Sequence, residues 1–464
     1  MVIPNRFAPT IRELKPVVER FAERGFHLYL VGGIVRDLLL GPTTSDVSDV
    51  DLTTDAEPNE ILTTLAGMVH SINRAGERFG TIACSLGSTR LEITTHRAEA
   101  YATTSRKPEV RFSTSLADDL ARRDFTINAI AIELTATEPL LIDPYNGVAD
   151  LVARRLATPL SADISFGEDP LRMLRAARFI ARFDLTPAEG MIVAIEKLAP
   201  RLDILSRERI RDELSRLLVL PDPTKGLQLL VDTPLAINFL PALASLRLEQ
   251  DPVHHHKDVL AHTIAVVQKC SPRLRLRLAA LLHDIAKPKT RAIGPDGVTF
   301  HFHDVVGARM ATSILTELRY PKDLIGDVSK LVGLHLRFHG YDAGWTDSAV
   351  RRYVRDAGDL YEDLNELTVC DATTRNQYKL LAMARRMDEF KLRVKPLQEA
   401  DALASLRPAL DGTEIMTLLQ IPPSKPVGRA LAFLMETELE EGPISKEEAI
   451  RRVLAWWEQQ SHKL

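Results

Sequence analysis

The chain has 464 residues, 45% of them hydrophobic and 26% charged, with a formal net charge of −4. That length exceeds one ordinary core and predicts two to four domains of about 100–200 residues each; the balance of apolar and charged side chains excludes general disorder. Cys84, Cys270 and Cys370 form no C-x-x-C pair, so a zinc or redox motif of that kind is excluded and a reducing compartment fits.

The N-terminal residues alternate charge with apolar side chains and lack the apolar core of a signal peptide. No later stretch is long enough to cross a membrane, so a cytoplasmic protein without membrane association is expected. Residues 11–25 read as an amphipathic helix, and His27 to Val31 as a short buried strand running into Gly32-Gly33. After VRDLLLG and a polar connection through Ser48, DVDLTT, TIACSL and TRLEITTHR read as strands, which gives a small mixed-sheet head to about residue 150. Beyond it, LRMLRAARFIARF, RIRDELSRLLVL, RLRLAALLHDIA and AIRRVLAWWEQQ all carry helical spacing. Breaks are expected at Pro221-Asp222-Pro223, at Gly294 to Gly297, between Lys395 and Pro408, and at Pro422 to Pro426. The fold class is therefore α+β, a small mixed-sheet head followed by a mostly α-helical body.

In VGGIVRD the two glycines let backbone amides approach a phosphate, the following helix N-terminus adds partial positive charge, and Arg36 can add a full one. Taken alone, the same pattern is also that of a tight turn. Asp49 and Asp51, two apart on a strand, point to one face and can share divalent cations, as two-metal phosphoryl transfer requires. Glu92 on LEITT can supply a third carboxylate, although an exposed strand position is the alternative. Between Leu171 and Phe183, Arg172, Arg175, Arg178 and Arg182 fall within roughly a third of the helix circumference at about 100° per residue. No acid interrupts them, so an anion- or base-binding face is expected despite the acidic total charge.

LVGGIVRDLLLG followed by DVD resembles the signature of the class II nucleotidyltransferases, which comprise CCA-adding tRNA enzymes and bacterial poly(A) polymerases. In the same order, ARRDFTINAIAI resembles the family's ribose-recognition segment and LIDPYNGVADL its hinge-like connection. GEDPLRMLRAARF resembles the nucleobase-recognition helix, and SRERIRDEL the helical motif after it. The resemblance implies that Asp169 and Arg172 face the incoming base, that Arg175 and Arg178 hold that pocket and the phosphates, and that Arg123, Asp124 and Asn128 check the ribose. It implies Mg2+ on Asp49 and Asp51, with CTP, ATP and a tRNA 3′ end as partners. RAEAYATTSRKPEVRF resembles the family's flexible loop over the active site. The linker PTTSDVSDVD is longer than is usual in relatives, so Asp46 competes with Asp49 in a bare reading; the D-x-D spacing favours Asp49 and Asp51.

The central region offers His262, His283-Asp284, His303, His335, His339 and Asp371. Histidines and carboxylates spread over several helices suit a transition-metal or mixed Mg/Mn site, whereas any one of them alone would read as core. Together they resemble the HD phosphohydrolase pattern, with His262, His283, Asp284 and Asp371 as first choices, His303 and His335 next, and His254, His255, His256 and His301 as decoys. A divalent metal (Mg, Mn or Ni) is implied there, with phosphatase and 2′,3′-cyclic phosphodiesterase chemistry. The tail from Asp411 resembles the family's tRNA-gripping end, and Trp456-Trp457 reads as core. The expected domains are a catalytic head (1–150), a helical nucleotide- and RNA-binding neck (151–245), an HD domain (246–395) and a tRNA-binding tail (396–464). The function these residues imply is template-independent addition of CCA to tRNA; poly(A) polymerase, or primarily an HD-type hydrolase acting on RNA ends, are the alternatives.

Overall fold

Strand-forming residues with one buried and one open face build the head in the computed structural model, which describes residues 3–41, 49–100, 109–247, 258–294, 297–341, 345–372, 377–403 and 408–461. A seven-stranded sheet runs in the order 70–73, 81–86, 89–95, 49–54, 28–31, 131–133, 140–142. Strand Leu28–Val31 is buried along its whole length, as a central strand covered on both faces should be. Its neighbour Asp49–Thr54 turns Val50 and Leu52 inward and leaves Asp49 and Asp51 open. That strand pairs antiparallel with Leu28–Val31 and parallel with Thr89–Thr95, so the sheet is mixed. The first helix is Ala8–Glu23, burying Leu14, Val17 and Phe21; it starts earlier than its periodicity suggests because Pro9 suits the first helical turn.

The chain divides into two compact units, Met1–Ser245 with Glu317–Arg319, and Leu246–Thr316 with Tyr320–Leu464. In the first, the helical part follows the sheet without a break: helix Gly147–Val152 spans the head boundary expected at 150, because its Asp150 is buried and takes a hydrogen bond from Thr126 Oγ1 at 2.6 Å. Helix Thr224–Asp232 packs closely on helix Leu171–Phe183, where a Cβ on Gly226 would stand 2.6 Å from the Ala177 carbonyl oxygen.

Among the described residues the second unit is helical apart from a short strand pair, Ala292–Gly294 with Gly297–Thr299, where the sequence shows only a break. Helix Gln377–Leu403 continues through Pro396, past the boundary expected after Lys395. Proline removes one helical hydrogen bond, and Leu392, whose carbonyl would have accepted it, is 73% exposed and open to water. In the tail, Asp411 and Glu414 form a capping box on helix Gly412–Leu419. Ile415, Ala430, Leu434 and Val453 form the tail's core, and Trp456 and Trp457 pack against it.

Candidate active site and candidate metal centre

The parallel pairing of Asp49–Thr54 with Thr89–Thr95 sets Asp51 directly opposite Glu92. Asp49, Asp51 and Glu92 thus share one face across adjacent strands. Solvent reaches Asp51, yet the protein packed around it raises its pKa; Arg123 pulls the other way, and Glu92 and Asp49 push it further up. Carboxylates crowded at this cost fit a cation between them. Glu92 also takes a hydrogen bond from Arg90 at 3.0 Å. Asp46 lies outside the described residues.

Gly32 closes the corner. Its φ of +77° suits glycine, and a Cβ there would lie 3.2 Å from Asp51 Oδ2 and 3.3 Å from Arg123 Nη1. Gly33 opens helix Gly33–Leu40, whose first amides have no acceptor within the helix and no side-chain cap. Arg36 stands behind the glycine turn, with its Nη2 3.4 Å from the position a Cβ would take on Gly33. One turn into the helix it is buried, donating to Asn128 Oδ1 at 2.5 Å and to Asp37 Oδ1 at 2.7 Å, with its guanidinium 4.4 Å from the Phe183 ring centre. Burial lowers its pKa.

From Arg36 a hydrogen-bond chain runs on. Asn128 Nδ2 donates to Asp124 Oδ1 at 2.9 Å, and Arg175 donates to Asp124 Oδ2 through Nε at 2.8 Å and Nη2 at 2.5 Å. Burial alone would raise the Asp124 carboxyl, but Arg175 and Asn128 outweigh it and hold it below the ordinary range. Arg172 donates to Ser165 Oγ at 2.9 Å and to the backbone carbonyl of Arg122. Arg178 is paired with Glu213 at 2.7 Å, and Arg182 stands 3.6 Å from Asp37. Asp169, two residues before helix Leu171–Phe183, accepts from the Leu171 amide at 3.1 Å and from Arg209 at 3.1 Å.

The uniformly basic face expected from the sequence is therefore largely an internal, neutralised one: Arg172 and Arg178 are buried. Apart from Glu168, 3.5 Å from Arg172 and four residues before it, the acids come from distant elements, at Asp124, Glu213 and Asp37, which no local window of sequence displays. Glu213 and Arg209 sit in SRERIRDEL and went unread, as did Asp119, whose only signal is its spacing of three and four residues from Arg122 and Arg123. The ends of the expected flexible loop pair as an antiparallel hairpin, Arg97–Ala100 with Glu109–Phe112; residues 101–108 lie outside the described residues.

In the second unit, helix ends bring His262, His283, Asp284, His303, His335 and Asp371 together. His262 Nε2 lies 2.9 Å from Asp371 Oδ1 and 3.3 Å from His283 Nε2. His283 Nε2 lies 3.2 Å from Asp284 Oδ2, and His303 Nε2 lies 3.5 Å from Asp284 Oδ1. Two groups, His262-His283-Asp284 and Asp284-His303-His335, each place their ligand atoms within 4.8 Å of one another and share Asp284. The Nδ1 atoms of His283, His303 and His335 contact the carbonyls three residues earlier at 2.7, 2.7 and 2.6 Å. That bond fixes the tautomer and turns Nε2 toward the centre, the usual preparation of a metal ligand. His303 Nε2 is buried with no hydrogen-bond partner, which a metal ion would satisfy.

The electrostatics agree. Burial would lower the His283 pKa, but Asp284 and Asp371 raise it to about 10, so two carboxylates draw positive charge to this point. His283, Lys287 and His262 hold Asp284 far below the ordinary range in spite of its burial. Burial, and then His283, lower His335 to about 4. Of the decoys, His301 is exposed, while His254, His255 and His256 lie outside the described residues, as does the side chain of His339.

Comparison with known proteins divides along the same lines. A family model described as "Poly A polymerase head domain" matches residues 28–157, one described as "Probable RNA and SrmB- binding site of polymerase A" matches 184–246, and the HD domain matches 259–406. The A-adding tRNA nucleotidyltransferase of Deinococcus radiodurans is 33% identical over 88% of this chain and 90% of its own. The CC-adding tRNA nucleotidyltransferase of Thermus thermophilus is 31% identical over 92% and 93%. The CCA-adding enzyme of Geobacillus kaustophilus is 36% identical over 51% of this chain and 56% of its own. Among solved structures, the Bacillus stearothermophilus CCA-adding enzyme in complex with CTP shares the fold at a TM-score of 0.69, with 21% identity and all of both chains covered. No described helix is long and apolar enough to cross a membrane.

Proposed function

The chain belongs to the tRNA nucleotidyltransferase family, and on that premise we propose that it completes the 3′ end of tRNA in the cytoplasm by adding C, C and A from CTP and ATP. The observation that carries this reading is the corner itself: Asp51 opposite Glu92, two residues from Asp49, with Gly32 close against Asp51 and Arg123. Asp49, Asp51 and Glu92 would hold Mg2+, which when bound lowers the pKa of the attacking 3′-hydroxyl and neutralises the triphosphate. The amides of Gly32 and Gly33 receive phosphate oxygens at the helix start. Arg123, Asp124 and Asn128 orient the ribose. Asp169 and Arg172 offer donors and acceptors to the base, so that protein rather than a template chooses the nucleotide. Arg175 and Arg178, tied to Asp124 and Glu213, keep that pair in place, and Arg36 fastens the glycine turn to the ribose segment through Asn128.

The second unit is assigned a divalent-metal phosphohydrolase site that trims phosphates or opens 2′,3′-cyclic phosphates at damaged RNA ends, preparing them for refilling. His262, His283, Asp284 and Asp371, with His303 and His335, would hold Mg, Mn or Ni; the unpartnered His303 Nε2 supports this. The metal, when bound, supplies an activated water. The tail is assigned to gripping tRNA.

A second reading stands beside CCA addition: the relatives matching along nearly the whole chain carry the names of half-reactions, one A-adding and one CC-adding. In that reading the protein supplies part of the sequence and another enzyme the rest. Replacing Asp49 and Asp51 together by Asn tests the shared core of both readings. Incorporation should vanish while phosphate release from RNA ends persists; undiminished incorporation would refute the site.

A further inference from the structure

Asp119 stands on helix Leu116–Ala121, one turn before the Arg122-Arg123 pair, and its side chain is completely buried. A carboxylate in that position is costly unless its charge and lone pairs are matched. Both oxygens are matched. Oδ1 accepts from Arg122 through Nε at 3.3 Å and Nη2 at 3.0 Å, and Oδ2 accepts from Arg123 through Nε at 3.3 Å and Nη2 at 3.1 Å.

The consequence for Arg123 is directional. A guanidinium is a rigid plane, so engaging its Nε–Nη2 edge fixes where Nη1 points. Nη1 lies 3.3 Å from the position a Cβ would take on Gly32, beside Asp51 Oδ2 at 3.2 Å from the same position. The free end of Arg123 is thus delivered to the carboxylate corner. Arg122 has a different consequence: its backbone carbonyl accepts from Arg172 Nη2, and Arg172 Nη1 donates to Ser165 Oγ at 2.9 Å. One buried carboxylate therefore pins a two-residue segment that touches the metal-side corner through Arg123 and the base-side helix through the Arg122 carbonyl. A residue serving stability alone would be cheaper as a well-packed apolar side chain.

We propose that Asp119 is a positioning residue of the transferase site, setting Arg123 against the Gly32–Asp51 corner and holding the Arg122 carbonyl under Arg172. It acts through these arginines and touches no substrate. The inference rests on the nucleotide-binding role given to Arg123.

The test is a double-mutant cycle on the purified full chain, with tRNA lacking its terminal nucleotides and CTP as substrate. Asp119→Asn should lower kcat/KM for CTP by roughly ten- to a hundredfold, the scale of small misplacements in an active site, with the KM for tRNA unchanged. In an Arg123→Ala background the same substitution should cost less than about twofold more, because coupled residues are not additive. Arg123→Lys keeps the charge but loses the fork; it should match Arg123→Ala, and it keeps the test open should Asp119→Asn fail to fold. Full activity of Asp119→Asn or Arg123→Lys, or losses that simply multiply in the double variant, would overturn the inference. Full activity of Arg123→Ala would overturn the role of Arg123 itself, and this inference with it.

Discussion

Gly32 adopts a φ of +77° with Asp51 and Arg123 close on its open side. A methyl group there meets both the strained backbone, worth about 1–3 kcal/mol, and the Asp51 carboxylate. Gly32→Ala should therefore reduce nucleotide incorporation at least tenfold, more than its modest loss of stability explains; parallel incorporation rates and urea unfolding curves check this. Residues of this kind differ in how far sequence exposes them. Asp49 and Asp51 were legible because a strand's period of two fixes their common face without knowledge of any partner. The burial of Arg36 was not legible, because only its neighbours Phe179, Phe183 and Asn128, distant in sequence, show it.

At the scale of elements, helix Leu171–Phe183 is held between the segment carrying Asp124 and helix Arg207–Leu218 by charge pairs from Arg175 and Arg178. The Arg178–Glu213 pair is buried on both sides, with side-chain exposures of 9% and 3%. Removing one member strands the other, which typically costs about 3–5 kcal/mol. Glu213→Ala should lower unfolding stability by that order, whereas a cost below about 1 kcal/mol would show the pair to be dispensable; chemical denaturation followed by circular dichroism reads the difference. The helix itself was legible from its periodicity and its Asp169-Pro170 start. Most of its neutralisation was not, since Asp124 and Glu213 lie 51 and 35 residues from the arginines they pair with. The long helix through Pro396 was hidden for another reason: an interior proline loses a hydrogen bond and crowds the carbonyl four residues earlier, so in sequence it reads as a break, yet the helix continues to Leu403.

Across the whole molecule, two units carry two distinct constellations, the carboxylate corner in the first and the histidine–aspartate cluster in the second. Asp284 is shared by both ligand groups of the cluster, so Asp284→Ala should abolish phosphate release from RNA ends and from 2′,3′-cyclic phosphates while nucleotide incorporation continues. Chelation followed by Mn, Ni or Mg addition should restore release in the wild type only. The order of motifs along the chain made the two chemistries legible. His303 and His335 were legible only as second choices, because what brings them to Asp284 is the packing of helix ends, which no linear spacing encodes.

The central claim is sequential addition to a tRNA 3′ end, and its most direct measurement uses tRNA transcripts ending before CCA, after C and after CC. Each is incubated with purified protein, Mg2+ and labelled CTP or ATP, separately and together. The account predicts C, then C, then a single A, with no further growth. Long A tails independent of CTP, or no incorporation on any transcript, would contradict it.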